Sequence, residues 1–177
     1  KPMIVRVYEN LSELIEMGAK VVVATDSKKI FDACKKEGIK VEMTSESHQS
    51  GTDRCFEVAE RHDREFILNV QGDEPLLPLS SLTQLINSLD GWMRRGVRVV
   101  TLACPHQAGE DLDYLERQRS TVKLCVRDDM RALFFSRAAV GGERSLRHIG
   151  VYAFHVSVLG LLCSPRSELS MAEDLEQ

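Results

Sequence analysis

No stretch of this 177-residue chain is apolar for long enough to cross a bilayer. Its longest apolar runs, "VVVA" and "VLGLLC", fall far short of the roughly 20 residues that a spanning helix needs. Positive charge is not in excess: 23 Lys and Arg stand against 27 Asp and Glu, a net charge of −4. That balance gives no general affinity for nucleic acid or for an anionic membrane surface. The cysteines are Cys34, Cys55, Cys104, Cys125 and Cys163, an odd number with no close pair. Neither a disulfide framework nor a zinc site is supported by that spacing. Reduced thiols in a cytosolic compartment are the simplest reading, so a cytoplasmic location is expected. No signal-peptide pattern opens the sequence, and no internal repeat, low-complexity tract or linker interrupts it. A G-x-S-x-G elbow, a Walker loop and a G-x-G-x-x-G fingerprint are also missing. What is left is the composition of an ordinary soluble globular protein, of a length that suits one domain over residues 1–177 with a sizeable core. The sequence opens on Lys1 rather than Met and stops at Gln177 inside a predicted helix. We therefore expect a piece of a longer polypeptide, incomplete at both ends.

Along the chain, "MIVRVYENLSELIEM" (3–17) has helical apolar spacing at Met3, Val7, Leu11 and Leu14/Ile15, with Gly18 as a stop. "VVVA" reads as a buried strand, followed by Thr25, Asp26 and Ser27 as loop and helix cap. "KKIFDACKKE" reads as a helix closed by Gly38, and "IKVEM" as a strand. A helix is predicted from about Thr52 to His62, a strand at "FILNV", a helix after Pro78, and a strand at "VRVVTLAC". Strands alternating with helices require crossover connections, hence a largely parallel sheet with helices on both faces. The later part differs. "TVKLCVR" and "RALFFSR" flank Asp128-Asp129-Met130 as a hairpin. "HIGVYAF" reads as one more strand, "VSVLGLLC" as a helix, and "SELSMAEDLEQ" as a helix placing Glu173 and Gln177 on one face. The fold class expected is α/β with an antiparallel insertion.

Ligands of open α/β sheets sit at the carboxyl ends of the strands. Asp26 and Asp73 both follow apolar strands directly, so both belong at that edge. In "QGDEP" Gly72 allows close backbone approach, and Asp73 offers a hard oxygen of the kind Mg²⁺ takes together with phosphate oxygens. A solvated acidic turn before Pro75 would look the same. In "HQSGTDR" (48–54) a loop-to-helix junction carries Gly51, hydroxyl residues and Arg54. Its backbone N–H groups suit an anion or carbonyl oxygen, and the arginine suits a base carbonyl or phosphate. A helix cap by Ser50 or Thr52 with a solvated Arg54 explains the same letters. Arg137 closes "FFSR". In "RHIGVY", His148 and Tyr152 are four residues apart and share a strand face. Arg137, His148 and Tyr152 would suit a polyhydroxylated ligand with a carboxylate, and surface charge plus a core tyrosine would serve equally well as an explanation. His62, His106 and His155 carry no readable signal.

As a set these segments are specific. "KPMIVRVYE", "VVVATD", "MTSESHQSGTDR", "NVQGDEP", "ALFFSR", "RHIGVYAF" and "AEDLEQ" occur in order across residues 1–177 and resemble the 3-deoxy-manno-octulosonate (Kdo) cytidylyltransferases, the CMP-Kdo synthetases. The resemblance implies a nucleotide-diphospho-sugar transferase-like fold, hence a single nucleotidyltransferase domain. It also implies a reaction in which the anomeric hydroxyl of Kdo attacks the α-phosphorus of CTP, with Mg²⁺ as cofactor and pyrophosphate released. Positioning and electrostatics would carry such a transfer, with no nucleophilic side chain. By position in the motifs, Asp73 would be the metal ligand and catalytic residue. Asp26, His48, Ser50, Gly51 and Arg54 would bind the nucleotide, and Gln71 would reach the sugar. Arg137, His148 and Tyr152 would form the acid-sugar pocket, closed by Glu173 and Gln177. Glu74 would be structural. In a bacterium the product would feed lipopolysaccharide, and elsewhere wall polymers. The family commonly forms homodimers, and "HVSVLGLL" would serve as an apolar interface or as a core helix.

Two family features are absent from the 177 residues. One is an opening "IPARxxSxRLPGKPL" strand and loop that grips the triphosphate. The other is a second metal-binding aspartate in a later "D-x-P-E-D" segment. "AAVGGERSLRH" is also shorter than the corresponding family loop. These 177 residues alone are therefore expected to be inactive, and their parent protein active. A sialic-acid cytidylyltransferase, a GT-A-type glycosyltransferase and a nucleotide-binding paralogue without turnover remain alternatives at this point.

Overall fold

The structure, a computed structural model, describes residues 1–106, 112–139 and 145–162. They fall into two compact units. Residues 1–100 and 151–162 belong to the first, and 101–106, 112–139 and 145–150 to the second.

In the first unit the predicted opening helix is two helices, α1 (Met3–Asn10) and α2 (Ser12–Glu16), parted at Leu11. The buried face of α1 is Val5 and Val7, while Met3 is largely exposed. β1 (Val23–Thr25) and β2 (Val41–Met43) pair in parallel, joined by α3 (Lys28–Lys36). Gly38 ends α3 at a φ of 71°, the left-handed region open to glycine. Backbone bonds from Gly38 N–H to Lys35 and from Ile39 N–H to Cys34 close the last turn as a Schellman motif. Val5 of α1, Val23 of β1, Cys34 of α3 and Val41 of β2 form one buried cluster with Ile39 of the loop between α3 and β2.

A second cluster lies under α4 (Gly51–Glu60), where Ala59, Phe154 and Leu159 are buried with Phe56, Ile67 and Tyr152 packed on them. Ile67 comes from β3 (Phe66–Val70), which pairs antiparallel with residues 151–155 of β7 (Ser145–His155). Leu159 comes from α7 (Val156–Leu162), so "HVSVLGLL" contributes to the core of this unit, although Leu161 is 76% exposed. α5 (Leu79–Arg94) buries Leu82, Leu85 and Leu89 at helical spacing. Among the described residues β1 and β3 are each paired along one edge only. Both border a cleft of about 880 Å³ walled mainly by apolar side chains of α1, β1, α4 and β3.

In the second unit β5 (Lys123–Val126) pairs antiparallel with β6 (Ala132–Ser136) and with residues 145–147 of β7. The predicted hairpin turn is there, and Met130 takes a φ of 63° within it. β4 (Val99–Pro105) begins in the first unit, enters the second and pairs with β7. The sequence reading had no helix where α6 (Leu112–Arg117) forms. The α/β class and the antiparallel insertion are both present. Pairing is more antiparallel than the strand–helix alternation suggests, because β7 is eleven residues long and returns against both β3 and β5. The predicted helix over the last eleven residues lies outside the described residues, as does Cys163; none of the four described cysteines is in a disulfide.

Candidate active site

The end of β1, the 44–50 loop and the start of α4 meet in the first unit. Asp26 and Arg54 form an ion pair there, Nη2 to Oδ2, at 2.5 Å. Arg54 Nη1 also donates to Thr44 Oγ1 at 2.9 Å and to the Ser45 carbonyl at 3.0 Å. The guanidinium thus ties a strand end, a loop and a helix together, the planar multi-donor task that arginine does and lysine does not. Ser50 caps α4 in a capping box: its Oγ accepts from Asp53 N–H at 3.2 Å, and Asp53 Oδ2 accepts from Ser50 N–H at 3.1 Å. Of the two caps the sequence offered, Ser50 and Thr52, it is Ser50 that caps the helix, 7% exposed, while Arg54 is paired rather than solvated.

His48 Nε2 lies 2.5 Å from Glu57 Oε2. The same carboxylate accepts from Ser45 N–H at 2.9 Å, and Glu57 also pairs with Arg61. The Ser45 N–H, then His48 and Arg61, hold the Glu57 carboxyl below its ordinary pKa. Beside it, burial pushes the Glu42 carboxyl up, but bonds from His62 and Arg61 outweigh burial and the net shift is down. His48, Glu57, Arg61, Glu42 and His62 therefore lace the loop and β2 to α4. Their residue types gave that network no recognisable signature in the sequence.

Gly51 opens α4 against Gln71: a Cβ there would lie 3.3 Å from both the Nε2 and Oε1 of the Gln71 amide. Glycine at this position leaves room for that side chain, so the structure brings together two residues that sequence motifs place twenty apart. Gln71 leads into a turn closed by Glu74 N–H to the Gln71 carbonyl at 3.2 Å. Asp73 is exposed in that turn and Glu74 is half-buried. Burial first, and the Asp73 charge second, raise the Glu74 carboxyl above its usual range. The two neighbouring acids thus differ: Asp73 is exposed to solvent, whereas burial disfavours the charged form of Glu74.

Among the described residues no group of three or more His, Cys, Asp or Glu side chains could enclose a metal ion. A single exposed carboxylate is compatible with Mg²⁺, which keeps waters and substrate phosphates around one or two protein ligands. Asn69, missed by sequence reading, is 4% exposed in β3, and its Nδ2 has no hydrogen-bond partner among the described residues. A polar residue inside the otherwise apolar "FILNV" was the available signal. Asn69 lines the cleft, as do Gly51, Arg54 and Gln71.

Tyr152 also belongs to the first unit, stacked on Phe154 at 5.7 Å and 18°. In the second unit His148 Nε2 lies 2.8 Å from Thr101 Oγ1, and the ring meets Phe135 edge-on at 5.1 Å. Burial lowers the His148 pKa to about 4, so the imidazole is neutral near pH 7. Arg137 Nη1 donates to the carbonyls of Arg119 and Ser120 at 3.3 and 3.4 Å. Glu173 and Gln177 lie outside the described residues.

Comparison with known proteins gives this arrangement a context. Residues 1–177 match the cytidylyltransferase family throughout. The 3-deoxy-manno-octulosonate cytidylyltransferase of Phocaeicola vulgatus is 36% identical over 192 residues, covering all of this chain and 73% of the relative. The chain belongs to the 3-deoxy-manno-octulosonate cytidylyltransferase family. Another member, from Koribacter versatilis, is 37% identical and is covered over 67% of its length. A solved CMP:2-keto-3-deoxy-manno-octonic acid synthetase complexed with CTP superposes with a TM-score of 0.77 at 34% identity, over the whole of this chain and 73% of that one. HddC from Yersinia pseudotuberculosis, complexed with GMP-PN, matches at a TM-score of 0.58 and 12% identity, which shows the shared fold alone. Membership of the Kdo cytidylyltransferase family makes the chain a nucleotidyltransferase, with the expected nucleotidyltransferase-like fold. Among the described residues no helix is long and apolar enough to cross a membrane.

Proposed function

We propose that the protein transfers CMP from CTP to the anomeric hydroxyl of Kdo. That oxygen forms a bond to the α-phosphorus, the bond from the α-phosphorus to the β-phosphate oxygen breaks, pyrophosphate leaves, and the hydroxyl proton is lost. The observation that carries this reading is the family match across all 177 residues. In the first unit, Asp26 and Arg54 with the α4 start form a rigid frame for the cytidine, and the exposed Asp73 would hold Mg²⁺. When bound, that ion supplies charge neutralisation at the phosphates and in-line alignment. Gln71, set by Gly51, reaches the sugar. Arg137 offers its guanidinium to the acid-sugar carboxylate, and neutral His148 and Tyr152 offer hydrogen bonds to hydroxyls. None of these side chains need act as nucleophile, since positioning and electrostatics suffice for phosphoryl transfer.

Reduced thiols fit a cytoplasmic enzyme, and in a bacterium its product would serve lipopolysaccharide synthesis. A homodimer is the assembly we infer, by likeness to the family habit. Pyrophosphate release from CTP, with Kdo or N-acetylneuraminate as acceptor and Mg²⁺ present, tests the assignment in the native polypeptide. Turnover with Kdo alone is expected. Equal turnover with N-acetylneuraminate, or none with Kdo, would remove it.

A further inference from the structure

Lys123 opens β5 with 0% of its surface exposed. An ammonium withdrawn from water must recover its hydrogen bonds from the protein, or the fold is strongly destabilised. Two main-chain carbonyls accept from Lys123: Nζ donates to Gln118 at 2.8 Å and to Arg137 at 2.8 Å. The second acceptor is the backbone of the residue read above as the carboxylate partner. The first opens the turn whose next two carbonyls, those of Arg119 and Ser120, receive the Arg137 guanidinium. One buried cation thus fixes both the root of the Arg137 side chain and the ledge on which its tip rests. The residue before it is tied to the other half of the set, since His148 N–H donates to the Val122 carbonyl at 2.9 Å. In the ladder Lys123 stands opposite Ser136 on one side and Arg147 on the other, so the strands leading to Arg137 and to His148 flank it directly.

We propose that Lys123 is the positioning residue of the acid-sugar site: it places the Arg137 guanidinium by pinning the Arg137 carbonyl and the 118–120 turn. The inference rests on the reading that Arg137 receives the sugar carboxylate. A lysine is suited to the task because three rotatable donors on a flexible stem can satisfy separate carbonyls. An apolar residue would fill the strand position and leave the turn and the Arg137 backbone free to part.

The test is a double-mutant cycle in the native polypeptide with K123M, R137A and the double variant, each with KM for Kdo, KM for CTP, kcat and a thermal midpoint. K123M is expected to raise the KM for Kdo about ten-fold or more while that for CTP stays within about two-fold. In the R137A background K123M should add less than about two-fold, because its effect runs through Arg137. A normal KM for Kdo in K123M, or the same increment with and without Arg137, overturns the inference. If K123M does not fold, K123R replaces it: the charge stays, the donor geometry changes, and KM for Kdo should rise several-fold with that for CTP unchanged. A wild-type KM for Kdo in K123R then overturns the inference. A normal KM for Kdo in R137A removes the reading of Arg137 and this inference with it. A raised value in R137A beside a normal one in K123M removes this inference alone.

Discussion

Arg54 and Asp26 stand 2.5 Å apart, Nη2 to Oδ2, and the guanidinium that makes this pair also holds Thr44 and Ser45. The pair is partly solvated, with side-chain exposures of 21% and 35%, so its Coulombic worth is discounted. Its greater consequence is geometric. With the guanidinium gone, the end of β1 and the 44–50 loop lose their common anchor. Arg54→Ala is expected to lower stability by only about 1 kcal/mol in chemical denaturation. In calorimetry it should weaken CTP binding at least about ten-fold, because the frame rather than the fold depends on it. Arg54→Lys should fall between, since an ammonium cannot serve three acceptors in one plane. A variant that binds CTP normally would show the frame to be unimportant for the nucleotide.

Asp73 is exposed in its turn, so Asp73→Asn should leave the thermal midpoint unchanged. If it is the Mg²⁺ ligand, kcat should fall about a hundred-fold or more, because metal neutralisation of a transferring phosphoryl group supplies several kcal/mol. Chelation of the metal from the wild-type enzyme should reproduce the loss, and added Mg²⁺ should restore the wild type but not the variant. Steady-state pyrophosphate release over a Mg²⁺ titration reads all three.

Much of this site was legible in the sequence, and the reasons differ residue by residue. Strand ends announce themselves through apolar runs that stop at polar letters, which is how Asp26 and Asp73 were placed at one edge. Ser50 was legible only as one of two candidate caps, beside Thr52, from hydroxyl residues at a loop-to-helix junction. What the letters did not contain was who pairs with whom. Arg54 with Asp26, His48 with Glu57 and Gly51 with Gln71 are long-range partners set by packing, and no local period encodes them. The break at Leu11 was invisible because the apolar spacing continues across it. α6 was missed because its six residues are too few to display a helical period. Lys123 went unnoticed because a lysine in a strand is ordinarily a solvated edge residue, and only the fold reveals that this one is enclosed.

Gly51 separates stability from function. A Cβ at this helix start would meet the Gln71 amide at 3.3 Å, close enough that the side chain must give by a few tenths of an ångström. Gln71 is flexible at its far end, so Gly51→Ala should not cost stability, and the lower entropy of the unfolded chain should raise it by up to about 0.5–1 kcal/mol. The displaced amide would nonetheless reach the sugar poorly. The expected result is an unchanged or higher thermal midpoint with a several-fold rise in KM for Kdo. A Gln71→Ala variant should show the same kinetic change without the gain in stability.

His148 makes the pH dependence of folding assignable. Burial against Phe135 and Thr101 lowers its pKa to about 4, while the unfolded chain titrates near 6.5. Between those values the unfolded state binds the proton that the native state refuses, so stability is full above about pH 6.5 and is lost as pH falls towards 4. Glu42 and Glu57 are depressed carboxylates, whose stabilisation is lost only below the ordinary glutamate range, in a lower window. Glu74 is raised, so its contribution has the opposite sense: stability falls as pH climbs from the ordinary glutamate range through its elevated value. Their overlap would blur a single acid titration, but a difference removes them. Urea denaturation of the wild type and of His148→Gln, run from pH 7.5 to 4.5, should give stability curves that converge as the pH drops, because only the wild type has a proton to refuse. Parallel curves would mean that the imidazole titrates alike folded and unfolded, and that the buried neutral His148 assigned to the sugar pocket is wrong.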